Sequence, residues 1–401
     1  MLWTLIHIAD LLLWFFMAGS VGYVVVFSLL SLFPRHSKAA SQQSTTSSDV
    51  PSTRFLVLFP AYQEDRVICN SVETFLQQDY PRHLFQVMVI SDHMQAATNQ
   101  RLSTLPITLL QPAFRKSSKA HALQYAIAGV EGGRSEGVEG GPTHVVVLDA
   151  DNIVAPDFLA RLDAVCRQGY VAIQCHRTAK NSDNDIAMLD GVSEEINNSL
   201  FRHAHNNIGL SSALIGSGMC FEYSWFKENV GRLDSVVEDR ELEALLMRQD
   251  IFIRYEEQIF VMDEKVSSQD NFQRQRMRWM TGQVQALLQM LPYLPTAIRT
   301  CNINYIDKTI QQMLIPRSIL LVILPCLSLL MTAIALPWSV KWWVLLASFS
   351  IALLLAVPPQ MRHRALFGKL AVLPSLVWRM LVNLVHIDKN DKEFIHTTHG
   401  K

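Results

Sequence analysis

The sequence predicts an α/β domain with a mostly parallel sheet, flanked by transmembrane helices. Three observations predict it. Short apolar runs that close on polar residues alternate with helical patterns through the middle of the chain. Uncharged stretches long enough to cross a bilayer lie near the N-terminus and after residue 312. A Ser/Thr/Gln-rich segment separates the first of these from the rest. Of the 401 residues, 49% are hydrophobic and 18% charged, which excludes a disordered or collagen-like chain. Thirty-five Lys+Arg balance 36 Asp+Glu at a formal net charge of −1, so no overall field draws the chain to a polyanion and nucleic acid is not an expected partner. The mean hydropathy of +0.16 averages these unlike regions.

Taken in order, residues 1–34 read as an N-terminal transmembrane anchor. Leu11 to Phe33 carries no charge and at about 1.5 Å per residue exceeds a hydrocarbon core of roughly 30 Å. A cleaved signal peptide is the competing reading, but the apolar region is long for one and ends without a clear small-residue cleavage site. Arg35, His36 and Lys38 follow at once, and the positive-inside rule places the chain from residue 34 onward in the cytoplasm. Residues 35–53 read as a flexible linker that runs into Pro51.

Residues 54–285 carry the α/β pattern. Phe55–Phe59 closes at Pro60-Ala61-Tyr62, Val87–Ile90 at Ser91-Asp92, and Val145–Leu148 at Asp149-Ala150-Asp151, with a helical pattern over Lys119–Gly129. Strand, helix, strand repetition implies parallel pairing with right-handed crossovers, whose ligands gather at the carboxyl ends of the strands. Residues 286–312 read as interfacial helices. Ser318–Leu336 and Trp342–Pro359, joined by a turn over Pro337–Lys341, read as a two-helix transmembrane hairpin within residues 313–360. Arg362, His363, Arg364 and Lys369 bring that hairpin back to the cytoplasmic side. Residues 361–401 read as an interfacial amphipathic helix and cytoplasmic tail, because Leu366–Ile387 contains Lys369, Pro374 and Arg379; a third C-terminal span is the alternative.

Several carboxylates invite a chemical reading. Asp92, Asp149 and Asp151 close strands of the expected sheet, and alternate residues of an extended Asp-x-Asp can reach one hard divalent cation together with a diphosphate. Asp also closes strands and caps helices with no metal involved. Asp239 follows Glu238 at the start of an amphipathic run to Leu246, where the helix dipole alone would favour a carboxylate. Gln273-Arg-Gln-Arg-Met-Arg-Trp279 lies just before the apolar hairpin, and such a basic stretch ordinarily contacts lipid headgroups. His203, His205, His396 and His399 lack a third ligand at metal spacing and read as surface histidines. The six cysteines show no Cys-x-x-Cys pair and read as free thiols of a reducing cytosol. Val-Glu-Gly-Gly occurs at 130–133 and 138–141, as in a duplicated surface insertion; no Gly-Lys-Ser/Thr follows to make it a phosphate loop.

The ordered set is more specific than its members. Pro60-Ala-Tyr-Gln-Glu64, Ser91-Asp92, Lys119-Ala-x-Ala-Leu123, Asp149-Ala-Asp151, Gly216-Ser217-Gly218, Glu238-Asp239 and Gln275-Arg-Met-Arg-Trp279 occur in that order. Together they resemble the family 2 inverting glycosyltransferases of GT-A (Rossmann-like) fold, in particular the membrane-integrated branch that includes cellulose, chitin, hyaluronan and poly-N-acetylglucosamine synthases. The resemblance covers roughly residues 54 to 285. It implies that Pro60, Ala61, Tyr62 and Glu64 line a base and ribose pocket and that Asp92 accepts from a uracil-like base. It further implies Lys119 near the nucleotide phosphates, Asp149 on nucleotide and metal, and Asp151 on Mg²⁺ or Mn²⁺. Asp239 would be the general base, and Gly216, Ser217, Gly218, Glu238, Gln275, Arg278 and Trp279 would meet the diphosphate and the acceptor. His93-Met94 after Asp92 departs from the pattern and leaves the base open; Gln63 where Asn is commoner is a minor departure.

The expected function is therefore sugar transfer from a nucleotide-sugar donor, UDP-linked by this resemblance, to a glycan or lipid-linked acceptor by an integral membrane enzyme. Gln-x-x-Arg-Trp goes with polymerising members, whereas about three spans offer little protein to enclose a channel without a homo-oligomer or a partner membrane subunit. Single transfer to a lipid acceptor is the alternative. An inactive scaffold or glycan sensor would be expected to lose its cleft charges, and these are all in place.

Overall fold

The computed structural model describes residues 2–33, 51–133, 138, 140–181, 184–235, 237–265 and 269–362. The expected amphipathic helix at 366–387, His396 and His399, and most of the 35–53 linker lie outside them.

Helix α1 runs over Leu2–Leu30. Strand β1 (Phe55–Tyr62) is followed by α2 (Ile68–Phe75), β2 (Phe85–Asp92), α3 (Ala96–Ser103), β3 (Thr108–Leu110) and α4 (Lys119–Glu131). Next come β4 (His144–Val147), β5 (Ile153–Val154), α5 (Phe158–Cys166) and β6 (Ala172–Ala179). Helix α6 (Asp185–Asn197) continues through a π-helical turn at Asn198–His203 into the short α7 (Ala204–Asn207). After β7 (Met219–Glu222) come α8 (Tyr223–Val230), α9 (Glu238–Arg248) and β8 (Ile253–Asp263). Five helices end the described chain: α10 (Gln269–Met290), α11 (Leu294–Arg299), α12 (Ile303–Met313), α13 (Arg317–Ile334) and α14 (Leu336–Ala356).

The eight strands form one sheet in the order β3-β2-β1-β4-β7-β6-β8-β5. Pairings β1–β2, β1–β4, β2–β3 and β6–β8 are parallel, while β4–β7, β6–β7 and β5–β8 are antiparallel. Six strands therefore run one way and only β7 and β5 oppose them. This direction count positions the site: the loops leaving β1, β2, β4 and β8 and the loop entering β7 all meet at one edge. Each face carries its own buried cluster. Val57, Phe59, Val87 and Phe158 lie on one side, and Leu56, Leu58, Val145, Phe226 and Leu242 on the other, as strict alternation along β1 requires.

A third cluster joins α1, α6, α13 and α14 through Val21, Val24, Val192, Leu320, Leu345 and Phe349. Among the described residues three helices are long and apolar enough to cross a membrane, at Trp3–Leu30, Arg317–Ile334 and Leu336–Ala356. The turn expected over Pro337–Lys341 is corrected: α14 already begins at Leu336, with Pro337 in its first turn, and the chain reverses at the extended Ala335. Proline is accommodated there because first-turn N–H groups have no intrahelical acceptor. Helices α1 and α14 are also longer than the uncharged stretches expected there. Asp10 within α1 pairs with Lys341 and accepts from Trp342 Nε1 at 2.8 Å, tying the start of α1 to α14.

Candidate active site

Strand β1 ends opposite β2, with Tyr62 in register with Asp92, and the next residue of each strand turns sharply: Gln63 (φ 54°) and His93 (φ 55°) both have left-handed backbones. The Gln63 amide donates to the Asp92 carbonyl at 3.2 Å, joining the two loops. Asp92 is buried, and the His93 ring sits on its carboxylate, Nδ1 to Oδ1 at 2.6 Å. The unusual residue after Asp92 thus occupies one carboxylate oxygen directly.

Helix α4 starts at this edge because Ser118 caps it, its hydroxyl accepting from His121 N at 3.1 Å. That sets Lys119 in the first turn, where its ammonium pairs with Asp149 Oδ1, donates to Gly216 O at 2.7 Å and lies 3.5 Å from Glu238 Oε1. Burial works against the Lys119 charge, but Asp149 and Glu238 more than offset it and hold its pKa above the ordinary value. One cation thereby connects the Asp-x-Asp loop, the glycine loop before β7 and the start of α9.

Glu238 and Asp239 form the first turn of α9. Burial pushes the Glu238 carboxyl up to about 7, with the Asp239 charge adding to the rise and Lys119 opposing it. Gly216 (φ +79°) explains itself here. A Cβ at that position would meet Asp239 Oδ2 and Glu238 Oε1 at an ordinary 3.7 Å, so it is the left-handed backbone, not want of space, that calls for glycine beside the two carboxylates.

Asp151 is 3% exposed; its Oδ2 accepts from Glu264 N at 2.8 Å and its Oδ1 from Asn152 Nδ2 at 3.3 Å. Asn152 also accepts from Asp149 N at 2.9 Å and donates to Asp263 Oδ1 at 3.3 Å. Asp149 and Asp151 offer hard oxygen donors that suit Mg²⁺ or Mn²⁺. Among the described residues no three His, Cys, Asp or Glu gather as a ready-made metal site. The donor set present would therefore offer a cation two carboxylates, Asp149 and Asp151.

One cavity of about 790 Å³ takes in Pro60, Ala61, Tyr62, Glu64, Asp92, Lys119, Asp149, Asp151, Gly216, Glu238, Asp239, Gln275, Arg278 and Trp279. Ser217 and Gly218, expected with Gly216 at the diphosphate or acceptor, stand behind its wall. Ser217 is fully buried, with its hydroxyl on Asn152 Oδ1 and 3.4 Å from Asp149 N. A Cβ on Gly218 (φ +64°) would lie 2.9 Å from Val261. Their work is to let the loop pack under Asp149. The Gln-x-x-Arg-Trp segment lies on α10, where the Arg276 guanidinium covers the Trp279 ring at 4.6 Å and pairs with Asp190 of α6 at 2.6 Å. Helix α10 approaches α9 at Gly282, whose Cβ would fall 2.5 Å from Val237 Cγ1, just before Glu238.

Sequence reasoning missed a buried ionic network. Glu194 of α6 meets Arg177 at 3.2 Å, Arg202 at 3.3 Å and Lys265 at 3.8 Å, and Lys265 meets Asp263 at 2.9 Å. Against the cost of burial, these cations hold Glu194 well below the usual carboxylate range. The network links α6 to the Asp-x-Asp loop through Asp263 and Asn152. Asp263 closes β8 as Asp92 closes β2, so a strand-ending carboxylate was the available signal; Glu194, mid-helix, gave none. His205 and His203 are corrected from surface positions. His205 is fully buried, with Nδ1 on Leu200 O at 2.7 Å and Nε2 2.8 Å from the Tyr23 hydroxyl, and His203 faces Glu257 at 3.1 Å. His203, the last residue of the π-helical turn, stays partly exposed. All six cysteines are free, four of them buried.

With this geometry in place, comparison with known proteins decides the family. The model of glycosyl transferase family group 2 matches residues 144–356, more than half of the chain, and that of glycosyl transferase family 2 matches residues 56–228. The chain belongs to glycosyl transferase family group 2. No curated protein matches it. Among solved structures, this family 2 glycosyltransferase resembles the mannosyltransferase PcManGT from Pyrobaculum calidifontis in complex with GDP-Man and Mn²⁺. The TM-score is 0.51 at 16% identity, over 85% of this chain and 95% of that one. It is also similar to residues 1–349 of S. aureus TarS in complex with UDP-GlcNAc, at TM-score 0.44 and 12% identity over 86% and 100%. At such identities the likeness is one of fold.

Proposed function

We propose that this glycosyltransferase is a membrane-bound, metal-dependent inverting enzyme. It transfers a sugar from a nucleotide-sugar donor, UDP-linked in the first instance, to a glycan or lipid-linked acceptor and forms a β-glycosidic bond in polysaccharide or glycolipid synthesis. The observation that carries this reading is the convergence of Asp149, Asp151, Lys119 and the Glu238-Asp239 pair on one cavity. Three long apolar helices support membrane attachment, and α10 to α12 expose Leu288, Ile298 and Ile303 as an interfacial surface would. The charges at Arg35, His36 and Lys38 favour a cytoplasmic catalytic domain by the positive-inside rule.

In this reading Pro60, Ala61, Tyr62, Glu64 and Asp92 seat the nucleoside at the β1–β2 end. Lys119 exchanges part of its contact with Asp149 for the donor phosphates, the stronger local anion. Asp149 and Asp151 would hold Mg²⁺ or Mn²⁺, which when bound would supply charge neutralisation for a departing diphosphate. Asp239 takes the proton from the acceptor hydroxyl as its oxygen bonds to the anomeric carbon and the bond from that carbon to the β-phosphate oxygen breaks. Arg278 and Gln275 favour the leaving diphosphate electrostatically, and Trp279 gives the acceptor an apolar face. Attack opposite the leaving group turns an α-linked donor into a β-glycoside.

The test is to supply the full chain in nanodiscs with Mn²⁺, native membrane lipid extract as acceptor and a panel of α-linked UDP- and GDP-sugars, measure nucleoside diphosphate release, and assign the product anomer by NMR. Release with a β-linked product is expected. A retained α-configuration, or no release from any donor, would overturn the reading.

A further inference from the structure

The cavity does not end at the catalytic residues. It continues past α10 to α1, α6, α13 and α14, where its wall becomes mainly aliphatic at Val24, Val192, Leu321, Leu353 and Val357, with Ser318 and Ser350 among them. A glycan threaded through that section would face aliphatic side chains with few partners for its hydroxyl groups, and each hydroxyl buried unpaired costs on the order of 1–3 kcal/mol. An acyl or isoprenoid chain loses nothing there and leaves water.

At the change of wall stands Arg317, the first residue of α13. Its guanidinium donates to Asn197 Oδ1 at 2.6 Å and to Ser193 O at 3.3 Å, both neutral acceptors. Among the described residues it makes no ion pair, unlike Arg177, Arg202 and Arg276 nearby. A half-buried cation between a polar and an apolar compartment is complementary to an anion at the same depth.

Resting on the proposed transferase reading, we propose that the acceptor is a phosphate-bearing lipid. Its hydrocarbon lies between α6, α13 and α14, its phosphate meets Arg317, and a headgroup hydroxyl extends toward Asp239. The transfer then forms the oxygen to anomeric-carbon bond on that hydroxyl, releases the nucleoside diphosphate and passes the hydroxyl proton to Asp239. Continuity with the catalytic cleft and the charge at Arg317 select this occupant over a neutral lipid or a growing polysaccharide.

The full chain is reconstituted in vesicles of equal phosphatidylglycerol and phosphatidylcholine, with benzoylphenylalanine replacing Leu353, irradiated, and its adducts identified by mass spectrometry. The same probe at Ile351, which is 57% exposed on α14, reports the surrounding bilayer. Phosphatidylglycerol adducts are expected to exceed their bulk share at least fivefold at 353 and not at 351, and Arg317→Gln is expected to bring the 353 ratio to that of 351. Adducts at the bulk ratio, adducts only to the chain's own residues, or no lipid adduct would each overturn the proposal. Nucleoside diphosphate release from the donor panel is measured on the same vesicles. Enrichment at 353 with no release leaves the lipid site standing and removes the transferase reading; release with no enrichment does the reverse.

Discussion

One wall of the cavity is the carboxyl edge of the sheet, and the other is built from α6, α10, α13 and α14. The sheet wall presents carboxylates on short loops whose positions follow from strand direction: Asp92 ends β2, Asp149 and Asp151 follow β4, and Asp263 ends β8. Lys119 ties three loops together, pairing with Asp149 and reaching Gly216 O and Glu238. The helical wall carries its polar groups on faces fixed by tertiary packing, such as Arg276 on Asp190 and Arg317 on Asn197. The difference teaches that the sheet wall is set by where strands end, whereas the helical wall is set by which faces of separate helices are turned toward one another.

The comparison can be broken most severely at the sheet wall. Asp151→Asn keeps the shape and hydrogen-bonding size of the side chain but removes a hard anionic donor. Activity is expected to fall by about 10³-fold, in line with a metal contribution of several kcal/mol, and the response to Mn²⁺ to disappear. A metal titration of the rate checks it, and a variant still activated by Mn²⁺ would remove Asp151 from the ligand set.

The helical wall should matter through position. Gly282→Ala places a methyl against Val237, which cannot rotate away, so α10 and the start of α9 must separate. A roughly tenfold loss of rate is expected with nucleotide affinity retained, and Val237→Ala in the same chain should restore much of it. Failure of that rescue would show that α10 does not set the position of Glu238 and Asp239.

The smallest expected effect is in the pH dependence. The Glu238 carboxyl titrates near 7 in the folded chain and near its ordinary 4.5 when unfolded, so folding binds a proton between those values. Stability from this group is therefore full below about 4.5 and lost as pH rises through about 7. Glu238→Gln should flatten the fall in Tm of the wild type across that window, by calorimetry at pH 5 and pH 8. An unchanged slope would place the titration elsewhere.

Much of the sheet wall was legible in the sequence because strand-ending polar residues report their own location once the crossover pattern is recognised. The strands at 55–59, 87–90 and 145–148 and the helix from Lys119 fall where the apolar runs placed them, and the reversed β7 still delivers Gly216 to the same edge. Ser217 and Gly218 were read as contacts although they pack beneath the wall; spacing carries no information on which side of a loop faces the cavity. Glu194, Arg202 and His205 were illegible for a related reason. Their helix is ordinary by pattern, and only the π-helical turn and the packing of α1 decide which residues turn inward. Arg317 stands directly before the uncharged stretch that starts at Ser318, and nothing in the sequence shows that the cavity reaches it.

The most direct test of the central claim separates binding from chemistry at Asp239. In the full chain in nanodiscs, Mn²⁺-dependent nucleotide affinity is measured by calorimetry and single-turnover sugar transfer by product quantification, for wild type and Asp239→Asn. The account predicts affinity within about twofold and transfer reduced by roughly 10²- to 10⁴-fold, the range of a lost general base. Equal loss of both, or transfer that survives the substitution, would contradict it.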